Sequence, residues 1–184
     1  MTKTAQPVRL IAFLRGINVG GLHKVPMAEL KNTLAAMGFS NIRTLLNSGN
    51  VVFSTERTDI PALEKKIAQT LEETFGFPIP VLVRAMEDIQ ALVARDPFKN
   101  IEVHQDTRLY VTFFRDDVED KLILPWTSPD GSLEILSANN KMLLSVLDIS
   151  KGKTTDAMRL LERHYTTDLT TRNWNTVVKL NDLA

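Results

Sequence analysis

There is no cysteine among the 184 residues. Disulfides and thiolate metal sites are therefore excluded, and the composition fits a reducing compartment such as the cytoplasm. No apolar run approaches the roughly 18 residues that a membrane helix needs, so no membrane partner is expected. The first seven residues are polar and lack the apolar centre of a signal peptide. Neither charge is in excess: 22 Lys and Arg stand against 22 Asp and Glu. Residues 1–100 carry 12 basic and 9 acidic side chains, the remainder 10 and 13. So mild an asymmetry is no nucleic-acid footprint, which requires a basic excess or a dense basic face. The three histidines, His23, His104 and His164, are scattered, and none has a second ligand at metal spacing. Neither a metal nor a cofactor is expected.

What is present is typical of a soluble globular protein: 43% hydrophobic and 24% charged residues in a length that suits one domain or two small ones. The chain is organised around Arg15-Gly16-Ile17-Asn18-Val19-Gly20-Gly21. Three glycines in seven residues make a loop rather than a core segment. Before it, residues 8–14 are apolar on both alternating sets, Leu10, Ala12 and Leu14 against Ile11 and Phe13. That pattern predicts a strand covered on both faces.

After the loop, Pro26 suits a helix start, and Met27, Leu30, Leu34 and Met37 form a helical stripe that Gly38 stops. Residues 41–46 and 51–53 read as a hairpin around the turn Asn47-Ser48-Gly49-Asn50. Asp59 caps a second helix with the stripe Leu63, Ile67, Leu71 and Phe75, ended by Gly76. Residues 80–84 make a fourth strand. The resulting order, βαββαβ, is the ferredoxin-like or split βαβ arrangement.

A connecting helix over residues 86–94 and a polar linker follow, and then the pattern restarts. Leu10-Ile11-Ala12-Phe13-Leu14-Arg15 is echoed by Tyr110-Val111-Thr112-Phe113-Phe114-Arg115 at an offset of one hundred. Residues 117–124 are expected to supply a turn or two of helix. A second hairpin is expected over 133–137 and 142–149 with its turn at 138–140. Helices are expected over 154–165 and about 171–180. The fold class is thus α+β, an N-terminal ferredoxin-like unit (1–85), a connection (86–106) and a related C-terminal unit (107–184). In this internal duplication the second copy's final strand is replaced by a helix.

Several of these stretches together resemble one family. Phe13 to Gly21, Val25 to Leu30, Leu46 to Phe53 and Thr171-Arg172-Asn173-Trp174-Asn175-Thr176 look like the bacterial domain of unknown function 1697. The resemblance implies an α+β fold with ferredoxin-like halves in a cytoplasmic bacterial protein. It implies no activity, because that family has none established.

Fold rules bring candidate residues together. In a βαββαβ unit the loop after the first strand and the hairpin turn lie at the same edge of the sheet, beside the start of the first helix. The expected site is an anion-binding edge built from Arg15, Gly16, Asn18, Gly20 and Gly21 with Asn47, Ser48 and Asn50. A cation, exposed backbone N–H groups and a helix start all favour negative charge. Arg172, Asn173 and Trp174 form a second set, read either as a site wall or as a packed helix start. Ser150-Lys151-Gly152-Lys153-Thr154-Thr155 is not a P-loop, because Leu147 stands where that motif needs glycine. Asn47-Ser48-Gly49 lacks the leading glycine of a nucleophile elbow. The acidic run Asp116, Asp117, Glu119 and Asp120 reads as a solvated turn.

The reading is an anionic small molecule, a phosphate-bearing metabolite or nucleotide, held at that edge. Whether the chain is an enzyme stays open, with His23 the one proton-transfer candidate. The alternatives are an interaction or scaffold module that forms a homodimer and, less favoured, an RNA binder, for which the third strand lacks the Gly-Phe signature.

Overall fold

A computed structural model describes residues 7–57, 59–118, 122–166 and 168–184. The chain forms two compact units, residues 1–95 with 178–184 and residues 96–177.

The first unit follows the expected element order. It runs β1 (Val8–Leu14), α1 (Met27–Ala36), β2 (Ser40–Leu45), β3 (Asn50–Thr55), α2 (Ile60–Phe75), β4 (Val81–Ala85) and α3 (Met86–Arg95). The sheet is antiparallel in the order β2-β3-β1-β4. Leu10, Ala12 and Leu14 face a core that includes Leu30 and Leu34 of α1 and Leu63, Ile67 and Leu71 of α2. Each leucine or isoleucine among them contributes about 1.5–3 kcal/mol when fully buried. The other set, Ile11 and Phe13, is equally buried, and α3 packs against β1 and β4. The alternation of two apolar sets in β1 thus has the meaning read from the sequence: from Leu10 to Leu14 neither face of the strand meets water.

Local chemistry fixes the helix ends. Asp59 accepts a hydrogen bond from the Ala62 N–H (3.1 Å), and Gly76 ends α2 in the left-handed conformation at φ +79°. The edge strand β4 is blunted by Glu64 of α2, whose Oε1 accepts the buried Val83 N–H at 2.7 Å. Arg9 holds the returning C-terminus: its Nη2 donates to the Leu183 carbonyl (2.9 Å), its Nη1 to the Asn41 carbonyl (2.7 Å).

The second unit contains β5 (Thr107–Phe114), β6 (Trp126–Thr127), β7 (Leu133–Asn139), β8 (Met142–Asp148), α4 (Thr154–His164) and β9 (Leu169–Asn173). The last helix, α5 (Trp174–Asn181), starts there and ends in the first unit. The sheet order is β6-β7-β8-β5-β9, again antiparallel.

Three expectations are corrected here. The final strand is not replaced by a helix. Residues 169–173 pair with β5, because Leu169-Thr170-Thr171 is a β-favouring run and Leu169 and Thr170 are buried. The last helix therefore begins at Trp174 rather than at about residue 171. Asp117, Val118 and residues 122–124 are not helical; residues 119–121 lie outside the described residues. The second hairpin turns at Asn140 and Lys141 rather than at 138–140. Both have positive φ (+47° and +62°), as a two-residue hairpin turn of the right twist demands.

Candidate functional site

The loop after β1 is not an open glycine loop. Its glycines build a small hairpin. The Leu22 N–H donates to the Val19 carbonyl (3.0 Å) and the Asn18 N–H to the His23 carbonyl (3.0 Å). Gly20 and Gly21 sit between them with φ of +59° and +78°. Positive φ at both central residues is the signature of a type I′ turn, the two-residue turn whose twist matches paired strands. The sequence signal was present, Gly-Gly flanked by Val19 and Leu22, but is easily read as generic looseness.

The feet of this finger are in the core. Ile17 and Val25 are buried and belong to the cluster around Leu14 and Leu30. Asn18, with φ of +55°, is the brace. Its Nδ2 donates to the Val25 carbonyl (3.1 Å) and to the Asn47 carbonyl (2.8 Å), while its Oδ1 accepts the Val25 N–H (2.9 Å). One side chain therefore closes the finger and ties it to the β2–β3 turn. His23, on the same face as Asn18, is exposed but stacked on Phe77 at 4.6 Å, with Nδ1 3.2 Å from the Gly16 carbonyl. Opposed residues in an antiparallel pair share a face, so Val19 and Leu22 point the other way. They are 67% and 69% exposed.

The β2–β3 turn presses against the base of the finger. Leu14 donates to the Gly49 carbonyl at 2.7 Å. A Cβ on Gly49 would lie 2.7 Å from the Leu14 Cβ and 3.1 Å from Ile17, and φ there is +83°. Only glycine fits. Asn50, read from the sequence as part of the turn, is the first residue of β3 and fully buried. Its Nδ2 donates to the Leu45 carbonyl and to Ser48 Oγ, both at 3.0 Å. The turn proper is residues 46–49, with Leu46 at φ +59° and 56% exposed.

The site residues divide between the units. Arg15, Gly16, Asn18, Gly20, Gly21, Asn47, Ser48 and Asn50 are in the first; Arg172, Asn173 and Trp174 are in the second. Arg15 is half-buried, and its N–H bonds the Pro80 carbonyl (3.0 Å). Gly20 and Gly21 are exposed. Arg172 extends along β9, with Nη1 on Thr170 Oγ1 (2.8 Å) and the Thr171 carbonyl (3.0 Å), and burial pushes its pKa down to about 10. Asn173 is exposed. Trp174 is buried edge-on against Phe98, centroids 5.3 Å apart.

A model of the family described as protein of unknown function (DUF1697) matches residues 8–143. The chain belongs to the DUF1697 family. Among solved structures, a conserved bacterial protein, SP0830 from Streptococcus pneumoniae, is similar over 97% of this chain and 99% of its own, with a TM-score of 0.65 and 21% identity. That identity carries the likeness of fold alone. No curated protein matches. The DUF1697 match takes in the finger, its brace and the β2–β3 turn, and stops before Arg172.

The second unit of this DUF1697 chain also has a cleft of about 270 Å³, lined by Phe114, Val118 and Tyr165 with Asp116, Asp117 and Asp168. Sequence reading took Asp116 and Asp117 as a solvated turn and missed the cleft, since Tyr165 and Asp168 arrive from across the sheet. Asp168 is paired to Arg115 at 3.5 Å. Among the described residues no group of three His, Asp or Glu is placed to hold a metal ion, and no helix is long and apolar enough to cross a membrane.

Proposed function

We propose that the chain binds an anionic small ligand, of the phosphate-bearing class, at the edge formed by the finger and the β2–β3 turn. The observation that carries this reading is electrostatic. Residues 8–28 and 40–55, which supply the finger, its base and the adjoining hairpin, contain no Asp or Glu, but include Arg15, Lys24 and Arg43. Around this edge the fixed charges from those segments are positive, and the start of α1 adds the positive end of its dipole, partly offset by Glu29 in its first turn. Arg15 pairs with the anion, and the exposed Gly20 and Gly21 contribute N–H groups. Asn18, Asn47, Ser48 and Asn50 hold the edge in shape, since Asn18 and Asn50 make their bonds within it. Arg172, Asn173 and Trp174 belong to the second unit, and the proposed edge is drawn without them.

Rigidity favours binding. A loop with its feet in the core and a brace across to the neighbouring turn loses little conformational freedom when a ligand arrives. The test is a thermal-shift series against inorganic phosphate and a nucleotide panel. Stabilisation is expected with at least one phosphate-bearing compound and is lost in Arg15→Ala. No shift with any compound contradicts the proposal.

We further infer that the two units are ferredoxin-like duplicates of one ancestor. Strands β7-β8-β5-β9 repeat the order β2-β3-β1-β4. The ends of β1 and β5 are also held alike: Leu14 and Phe114 donate to Gly49 and Lys141, Arg15 and Arg115 to Pro80 and Asp168.

A further inference from the structure

The two units carry opposite features at corresponding places. Beyond Arg15, the end of β1 leads into a convex finger. Its outward pair, Val19 and Leu22, is two-thirds exposed, and Lys24 follows at its foot with no carboxylate in residues 8–28. Beyond Arg115, the end of β5 leads into a concave cleft with Phe114, Val118 and Tyr165 as its apolar wall and Asp116 and Asp117 exposed at its rim. Water is a poor solvent for a paired aliphatic tip, and a rigid hairpin cannot fold that tip away, because Asn18 and His23 on its other face are already engaged.

We propose that the finger of one copy docks into the acidic cleft of a second copy, giving head-to-tail self-association. Shape and charge both select this occupant. The tip is narrow and aliphatic with a cation beside it; the cleft is about 270 Å³, room for one or two aliphatic side chains, with carboxylates at its mouth. In the docked arrangement Val19 and Leu22 meet the half-buried Val118 and Tyr165, with Phe114 buried at the floor of the cleft, and Lys24 faces Asp116 and Asp117; Asp168 stays with Arg115. The contact is small, well under the area of a stable dimer, so association is weak and rises with concentration. Because finger and cleft are different surfaces, the interface is heterologous. It closes into a ring or runs on as a chain. The proposal rests on Val19, Leu22 and Lys24 and does not depend on an anion bound at Arg15.

Analytical ultracentrifugation of the full chain across a wide concentration range tests it, with two variants made singly and mixed. Val19→Ser/Leu22→Ser removes the tip and keeps the cleft; Asp116→Lys/Asp117→Lys reverses the rim and keeps the finger. All four positions are exposed, and circular dichroism confirms that the variants fold. The wild type is expected to grow in mass with concentration, each variant alone to stay monomeric, and the mixture to form a heterodimer that goes no further. A strictly monomeric wild type overturns the proposal, as does a mixture that remains monomeric. Variants that still self-associate would place the interface elsewhere. Thermal-shift results with phosphate compounds are read separately, so the failure of one proposal does not imply the failure of the other.

Discussion

Asn18 links the finger to the sheet by its own side chain. It occupies a left-handed backbone position, accepts one N–H and donates to two carbonyls, one of them in a different loop. Replacement by alanine removes all three bonds and leaves at φ +55° a residue without the local side-chain bonding that lets Asn tolerate the left-handed region, which costs roughly 1–2 kcal/mol for ordinary residues. Asn18→Ala is expected to lower unfolding stability by about 2–3 kcal/mol in urea titration. Asn18→Gly relieves the backbone strain and should recover about 1 kcal/mol of that loss. If the two variants are equally and only slightly destabilised, Asn18 is not the brace. Neighbouring positions show how unevenly residue roles are written in sequence. Asp59 as a cap and Gly76 as a stop were legible from type and spacing. The inward use of Asn18 and Asn50 was not, because an amide advertises hydrogen bonding without saying to whom. Glu64 was equally silent, an acidic residue in a helix whose carboxylate ends on the backbone of an edge strand nineteen residues away.

At the scale of elements, the turns carry the information. The finger and the β7–β8 turn both meet the requirement for positive φ at two central residues, one with Gly20-Gly21 and the other with Asn140-Lys141. Helices and strands of the first unit followed from apolar spacing. β9 did not, because Thr171-Arg172-Asn173-Trp174 serves as strand and as helix start within a few residues, and only pairing with β5 decides where one ends. The loop between β6 and β7 is organised by a carboxylate: Asp130 Oδ1 accepts from Ser128 Oγ (2.6 Å), the Ser132 N–H (3.0 Å) and Ser132 Oγ (2.9 Å). The hydrogen bond from Ser128, followed by those from Ser132, holds its pKa below the usual carboxylate value. A carboxylate depressed on folding contributes stability above its unfolded pKa, and that contribution is lost as pH falls through the folded value. The loop's amides are therefore expected to stay protected from hydrogen exchange near neutrality and to lose protection as pH falls below the ordinary Asp range. Asp130→Asn should show little of this acid dependence; an unchanged profile in the variant would remove Asp130 from the account.

At the scale of the whole molecule, the chain is two units, four strands of the second sheet following the order of the first, and the last residues of α5 return to the first unit, where Arg9 secures Leu183. The α+β class was legible because each first-unit element has its own period and its own stop signal. The division into units was less so. The returning C-terminus is set by a contact between residues 174 positions apart, and no local pattern encodes such a distance. The function proposed here belongs to this scale too, because a cationic edge matters only if the fold gathers the carboxylate-free segments and holds them still. The most direct test is a backbone-amide NMR titration of the full chain with the phosphate compound that gives the largest thermal shift, or with inorganic phosphate if none does. The account predicts saturable shifts concentrated at residues 15–25 and 46–50 and abolished in Arg15→Ala. Shifts that fall elsewhere, or that persist unchanged in Arg15→Ala, would contradict it.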